Sequence, residues 1–462
     1  MKKYLIMKYF FILFVGINAY ITFPLLKDNP SFSKEDTPSD IIDKLFYSNL
    51  YIKMNIGSEN VEVKTYLSID RHELMIAGIG VKNNKYNQNK SESYKCSYCK
   101  EKEFTYGDYN RGIISTENFK INFNGAELRT IKNMNFILGT SSIYMDPPEG
   151  SIGLNLPKIE SETNYNLLKS LKLTNSTNSY IWYLNFTEKN SKMIIDAFPH
   201  DLDSITYNAS NLKMVNSIKE GSSLIWGLKF EKIYYDNENN NIGSSEAKID
   251  FTINYIFAPN ETGKFLENIF FEEYYKRNIC FKKGINYNRQ YFIYCLNSKD
   301  FDPKQFKNIY FQSRELDISF ELNYNELFLY KDNYVYFLIL FQNSNNFWRF
   351  GEIFLKKYYL VFDNDDKSLG FYKTIEKNED NNTKTDYVQY ILIGLLVLIF
   401  AGVVAILIVV FLKKSKKKKR ANELDDNFEY QAKIDEAYDS DKKKDNNSPN
   451  DNEEKNEIIP PD

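Results

Sequence analysis

The stretch WRFGEIFLKKYYLVFDNDDKSLGFYK (residues 348–373) decides how this chain is read. It holds a turn at Arg349-Phe350-Gly351-Glu352, a strand-like run at 358–363 and a closing Leu369-Gly370-Phe371. Runs of the same kind lie upstream: LYIKMNI, FKINF, YIWYLNF, KMIIDAF and YVYFLILF, separated by clusters of Asn, Asp and Gly. Short alternating stretches rich in β-branched and aromatic residues, bounded by turn formers, read as strands. Helical spacing is confined to short segments such as 166–173 and 262–275. No repeat of 20–50 residues is visible, which excludes a solenoid. Strands spread over about 320 residues are too many for one sandwich of about 100 residues. They fit two β-rich lobes, 48–190 and 191–373.

Composition bounds the answer further. The chain has 462 residues, is 43% hydrophobic and carries a net charge of −3, so it can bury a sizeable core and has no charge excess for nucleic acid. It has 36 Tyr and 35 Phe but only two His and 19 Gly, so a fold built on glycine turns has had many of them replaced. No metal-ligand motif and no phosphate-binding glycine loop occurs, and we expect neither metal nor cofactor.

Two segments point to a membrane. Residues 1–19 have an early Lys2, Lys3 and Lys8, a short apolar run and a small Ala19, the pattern of a cleaved secretory signal. Residues 20–47 then form a short pro or linker segment. Residues 391–412 are 22 residues without a charge, enough for about 33 Å of helix at about 1.5 Å per residue. We place a transmembrane helix at 387–412, after a polar stalk at 374–386. KKSKKKKR at 413–420 follows, and by the positive-inside rule the tail is cytoplasmic and residues 20–386 lie on the lumenal or extracellular side. The basic run Lys413 to Arg420 can also gather anionic lipids. The tail (413–462) is polar enough to be disordered, and within it NFEY and EKNEII loosely resemble sorting signals. The expected location is the secretory pathway or cell surface.

Six Asn-x-Ser/Thr sequons, at Asn89, Asn175, Asn185, Asn208, Asn260 and Asn381, lie on the predicted outside, as do Cys96, Cys99, Cys280 and Cys295. Four cysteines in an oxidising compartment make two disulfides, and the local pairing is preferred among three. Cys96-x-x-Cys99 also has the spacing of a redox centre, without the strand–helix context of one.

Residues 348–373 resemble the closing segment of pepsin-like aspartic peptidases, where an apolar-apolar-Gly-Asp turn precedes a helix, a Tyr-Tyr-x-Val-Phe-Asp strand and a final Gly-Phe strand. Five further segments follow in family order. IGSENVEV (56–63) resembles the first hairpin, and FTYGDYNRGIIS (104–115) the active-site flap with Tyr106 at its tyrosine. EGSIGLNLP (149–157) resembles the first-lobe Asp-Gly-Ile-Leu-Gly-Leu turn, and YIWYLNF (180–186) the strand crossing between lobes. AKIDFTINYIFAP (247–259) resembles the second catalytic loop, with Asp250 at the second catalytic aspartate. The resemblance implies an all-β, bilobal pepsin-like aspartic protease fold with few short helices, to which the sequence adds one C-terminal transmembrane helix.

The same resemblance exposes a gap. In VKTYLSIDRHELMI (63–76), aligning Leu74 with the family's Leu puts Ser68 at the first catalytic position and Met75 at the tryptophan. Asp70 becomes the catalyst only under a two-residue shift. The threonines that brace the family's two loops correspond to Ile69 and Phe251, and the loop glycines to Asp70 and Thr252. Two close carboxylates share one proton, so that one activates water while the other donates to the substrate carbonyl. An unactivated serine cannot take the base role, and losing one member of such a unit costs about 10⁴–10⁶-fold. Asp250 reads equally as a turn residue kept for its hydrogen bonds. His72 and His200 read as surface or turn residues.

The expected protein is a type I membrane glycoprotein with a degenerate dyad, binding peptide or protein in the interlobe cleft. The alternatives are an active aspartic endopeptidase of the secretory pathway using Asp250 with Asp70, and a structural surface protein whose cleft is filled by side chains such as Phe251 and Met75.

Overall fold

The computed structural model describes residues 20–372, apart from 29–30, 34, 47–49, 104–110, 126, 143–145, 158–164, 188–189, 222, 286–289 and 343–346. The signal segment, Tyr106, Asn381, the stalk, the apolar run and the tail lie outside the described residues. Among the described residues, no helix is long and apolar enough to cross a membrane.

The chain is built of strands with a few short helices, as the alternation predicts. In Leu50–Ile56 the residues Leu50, Ile52, Met54 and Ile56 are buried, while Lys53 between them is exposed. Strands without alternation, such as Leu74–Ala77, Gly150–Gly153 and Ile339–Gln342, are buried at every residue. Each of these three has a parallel neighbour in its sheet and is covered on both faces. The two helical readings hold. Leu167–Leu173 is capped by Asn166, whose side chain accepts from Lys169 N, and 260–276 runs through a π-helical turn at Glu267–Phe271.

Among the described residues the strands form a 14-stranded and an 11-stranded sheet, with one separate hairpin. The larger sheet gathers strands between 21 and 195 and also takes Leu212–Asn216, Leu360–Asp363 and Ser368–Tyr372 from later in the chain. The smaller one spans Gly227–Tyr235 to Trp348–Phe350. Residues 20–46 are part of the fold. Ile21–Pro24 pairs with both Lys192–Ile195 and Arg111–Phe123, and Pro38–Phe46 is a helix.

One arrangement occurs twice. Val61–Ser68 runs parallel to Gly150–Gly153, which is antiparallel to Leu74–Ala77, which in turn runs parallel to Glu127–Ser141. Asn241–Ile249, Trp348–Phe350, Ile256–Pro259 and Ile339–Gln342 repeat those relations in the second sheet. Each copy sends a loop out of its first strand, at Ser68 and at Asp250.

Candidate active site

The second loop carries a buried carboxylate. Ile249 pairs with Phe350, and Asp250 N donates to Phe350 O at 2.9 Å, which fixes the start of the turn. Asp250 is buried. Its Oδ1 accepts from Thr252 N at 3.0 Å and from Thr252 Oγ1 at 2.5 Å. Its Oδ2 accepts from Arg349 Nη2 in a close ion pair. Arg349 comes from the neighbouring parallel strand, beside Lys248, and its guanidinium also lies 5.2 Å from the ring centre of Phe257. Both carboxylate oxygens are therefore engaged by protein groups. The charge beside the carboxylate is positive, whereas a proton-sharing dyad needs a second carboxylate there.

The first loop differs throughout. Ser68 lies opposite Gly153, half-buried, with its Oγ accepting from Asp70 N at 3.3 Å. Asp70 is exposed in the turn. The three residues after it take polar side chains into the interior: Arg71, His72 and Glu73 are 6%, 5% and 6% exposed. Arg71 Nη1 donates to Ser151 Oγ at 3.1 Å, His72 Nε2 is 3.6 Å from Glu73 Oε1, and Asn166 Nδ2 donates to His72 O at 2.6 Å. Of the reading of His72 as a surface or turn residue, the loop position holds and the surface does not: the loop folds back over Gly153, taking the imidazole inward. His200 is part-buried, with Nδ1 2.6 Å from Tyr372 Oη and its ring stacked on Phe198.

Both loops close over a glycine. A Cβ on Gly153 would stand 2.5 Å from Arg71 C and His72 N, and one on Gly351 would stand 2.1 Å from Tyr255 O and 2.5 Å from Ile253 O. Where the resemblance implies hydroxyl bracing, the side chains are apolar and join one core. Phe251 is fully buried against Trp182 at 6.0 Å, Trp182 stacks on Phe362 at 4.0 Å, and Ile69 packs on the same core. Trp226 Nε1 donates to Leu154 O at 2.7 Å, tying the start of the second sheet to the first. Met75 is buried with Ala77, Val81, Ile137 and Tyr165.

The helix Pro38–Phe46 covers the outer face of the second loop. Ile41 and Ile42 pack with Ile253, Tyr255 and Phe257, and Tyr255 Oη donates to Ile42 O at 3.0 Å. Lys27 Nζ reaches Asn254 Oδ1 at 2.5 Å and Glu352 Oε2 at 2.8 Å, and Lys356 pairs with Glu352 at 2.6 Å. Burial alone would raise the Glu352 carboxyl, but the charges of Lys27 and Lys356 outweigh it and hold it below the usual value of 4.5. A carboxyl lowered in the folded state contributes stability that is present above the unfolded value and lost as pH falls through the folded one. Denaturation midpoints measured from pH 7 to 3 should therefore fall below about pH 4.5, and Glu352→Gln should remove that component.

The disulfides form locally, as expected: Cys96 with Cys99, and Cys280 with Cys295 across a directly opposed strand pair. Asn89, Asn175 and Asn208 are exposed, while Asn185 and Asn260 are half-buried. Among the described residues no group of His, Cys, Asp or Glu is placed to hold a metal ion. Arg349 carries the largest feature that the sequence reading did not assign. Its signal was a charge where two apolar residues precede Gly351.

The eukaryotic aspartyl protease family model matches residues 50–374. With that domain spanning most of its length, and with the twice-built loop arrangement above, the chain belongs to the eukaryotic aspartyl protease family. Comparison with curated proteins finds no significant match.

Proposed function

We propose that this is an aspartic-peptidase-like protein without peptidase activity, which binds peptide or protein over the paired loops. The observation that carries this reading is the ion pair of Asp250 with Arg349; the resemblance puts Ser68, not a carboxylate, at the other dyad position. The Asp250 carboxylate already accepts from Thr252 and Arg349, which leaves fewer of its lone pairs for a water. The scaffold that presents the loops is intact, which supports binding rather than loss of role.

The topology belongs to the same proposal: a type I single-pass membrane glycoprotein, held by 387–412, with the domain outside and the basic run at the cytoplasmic surface. Peptide mapping after enzymatic deglycosylation should find glycans at the exposed Asn89, Asn175 and Asn208 and none at Asn185. Asn185 is half-buried within a paired strand, and its Oδ1 is fully enclosed.

To test binding, a diverse peptide library is incubated with the purified full-length chain at neutral pH, and retained peptides are sequenced. Intact peptides sharing a pattern are expected. Retention of cut products alone would contradict the reading and favour an endopeptidase, and no retention would favour a purely structural surface protein.

A further inference from the structure

We propose that Cys96–Cys99 is a thiol-exchange site, open to small thiols while the fold stays intact, whereas Cys280–Cys295 is inert. The two bonds share one chain but not one environment. Cys280 and Cys295 are 2% and 1% exposed, on strands directly opposed to each other. Cys99 is exposed and Cys96 half-buried, on Lys95–Glu103, which among the described residues pairs only with Arg111–Phe123.

The register around the first bond is broken twice. Cys96 pairs with Ser115, Tyr98 with Ile114 and Lys102 with Gly112, so this strand has surplus residues between each pair of matches. The bond spans three residues of sequence inside that bulged stretch, against 15 for the other. It therefore closes a short loop that restricts the unfolded chain little, and it staples an irregularity rather than a core. Lys95, Lys100 and Lys102 flank it, and nearby cations favour the thiolate form on which exchange depends.

The exchange balances with an external thiol as reductant. A thiolate attacks the exposed Cys99 Sγ, forming a mixed disulfide, and the Cys96 sulfur leaves as a thiolate that takes a proton from water. A second thiol attacks the mixed disulfide at the external sulfur, releasing the oxidised dimer and the Cys99 thiolate. Two thiols are oxidised and one disulfide is reduced.

The test uses the full-length chain under native conditions with graded reduced glutathione, quenching by alkylation and peptide mapping. Cys96 and Cys99 should be alkylated about tenfold or more faster than Cys280 and Cys295. Hydrogen exchange should accelerate in 95–103 after reduction while the smaller sheet is unchanged. Parallel labelling of both pairs, earlier labelling of Cys280–Cys295, or labelling only on unfolding would overturn the proposal. A Cys96→Ser, Cys99→Ser variant should fold with an unchanged melting transition and lose thiol sensitivity. If that variant does not fold, the bond is a structural staple and the proposal fails.

Discussion

Arg349→Met is expected to lower the unfolding free energy by about 3 kcal/mol, the low end for breaking a buried ion pair. The substitution keeps an apolar stem but removes the guanidinium that lies over Phe257, which leaves the Asp250 carboxylate, 3% exposed, without its cation. The value falls at the low end because the Arg349 side chain is 32% exposed, so solvent already shares its charge. The reverse truncation is asymmetric. Asp250→Asn keeps an acceptor for Thr252 and frees a guanidinium that can turn toward water, so it should cost about 1 kcal/mol. In a double-mutant cycle read by urea unfolding, the double variant should be markedly more stable than the sum of the singles predicts. Additive singles would mean that the two groups are not coupled.

Gly351→Ala is expected to be the most damaging single methyl group among the described glycines, at about 4 kcal/mol or more. The added Cβ would meet the carbonyl oxygens of Tyr255 and Ile253, both backbone atoms. Glu352 N donates to Ile253 O at 2.8 Å, so moving that carbonyl breaks the bond between the loop and the following helix. Gly153→Ala should act in the same way on the first loop, where Gly153 N donates to Glu73 O at 2.7 Å. Gly284→Ala is the control: its nearest neighbour would be Gln290 O at 3.9 Å, an ordinary contact. Soluble yield and urea midpoints of the three variants give the comparison. Near-equal midpoints would show that the loops yield and that the close approach constrains nothing.

Much of this architecture was legible in the sequence because it is local. Alternation marks Leu50–Ile56, an apolar run marks Ile339–Gln342, and Asn166 marks the start of a helix. The local disulfides followed from spacing. What stayed hidden is long-range. Lys248 and Arg349 are about a hundred residues apart in sequence and adjacent in the sheet, so nothing local links Arg349 to Asp250. The inward turn of His72 depends on Gly153, on another strand. Residues 20–46 looked like a linker because their partners, Lys192–Ile195 and the face of Tyr255, come much later in the chain. The first catalytic position was read from the ungapped spacing of 63–76 alone; in the sheet Ser68 stands opposite Gly153.

The most direct test of the central claim is proteolysis itself. The purified full-length chain is incubated with a diverse peptide library from pH 3 to 7, with and without pepstatin, beside Asp250→Ala. We expect no cleavage above the Asp250→Ala background at any pH. Pepstatin-sensitive cleavage that disappears in Asp250→Ala would contradict the account, and would require Asp70 to move to the position now held by Ser68.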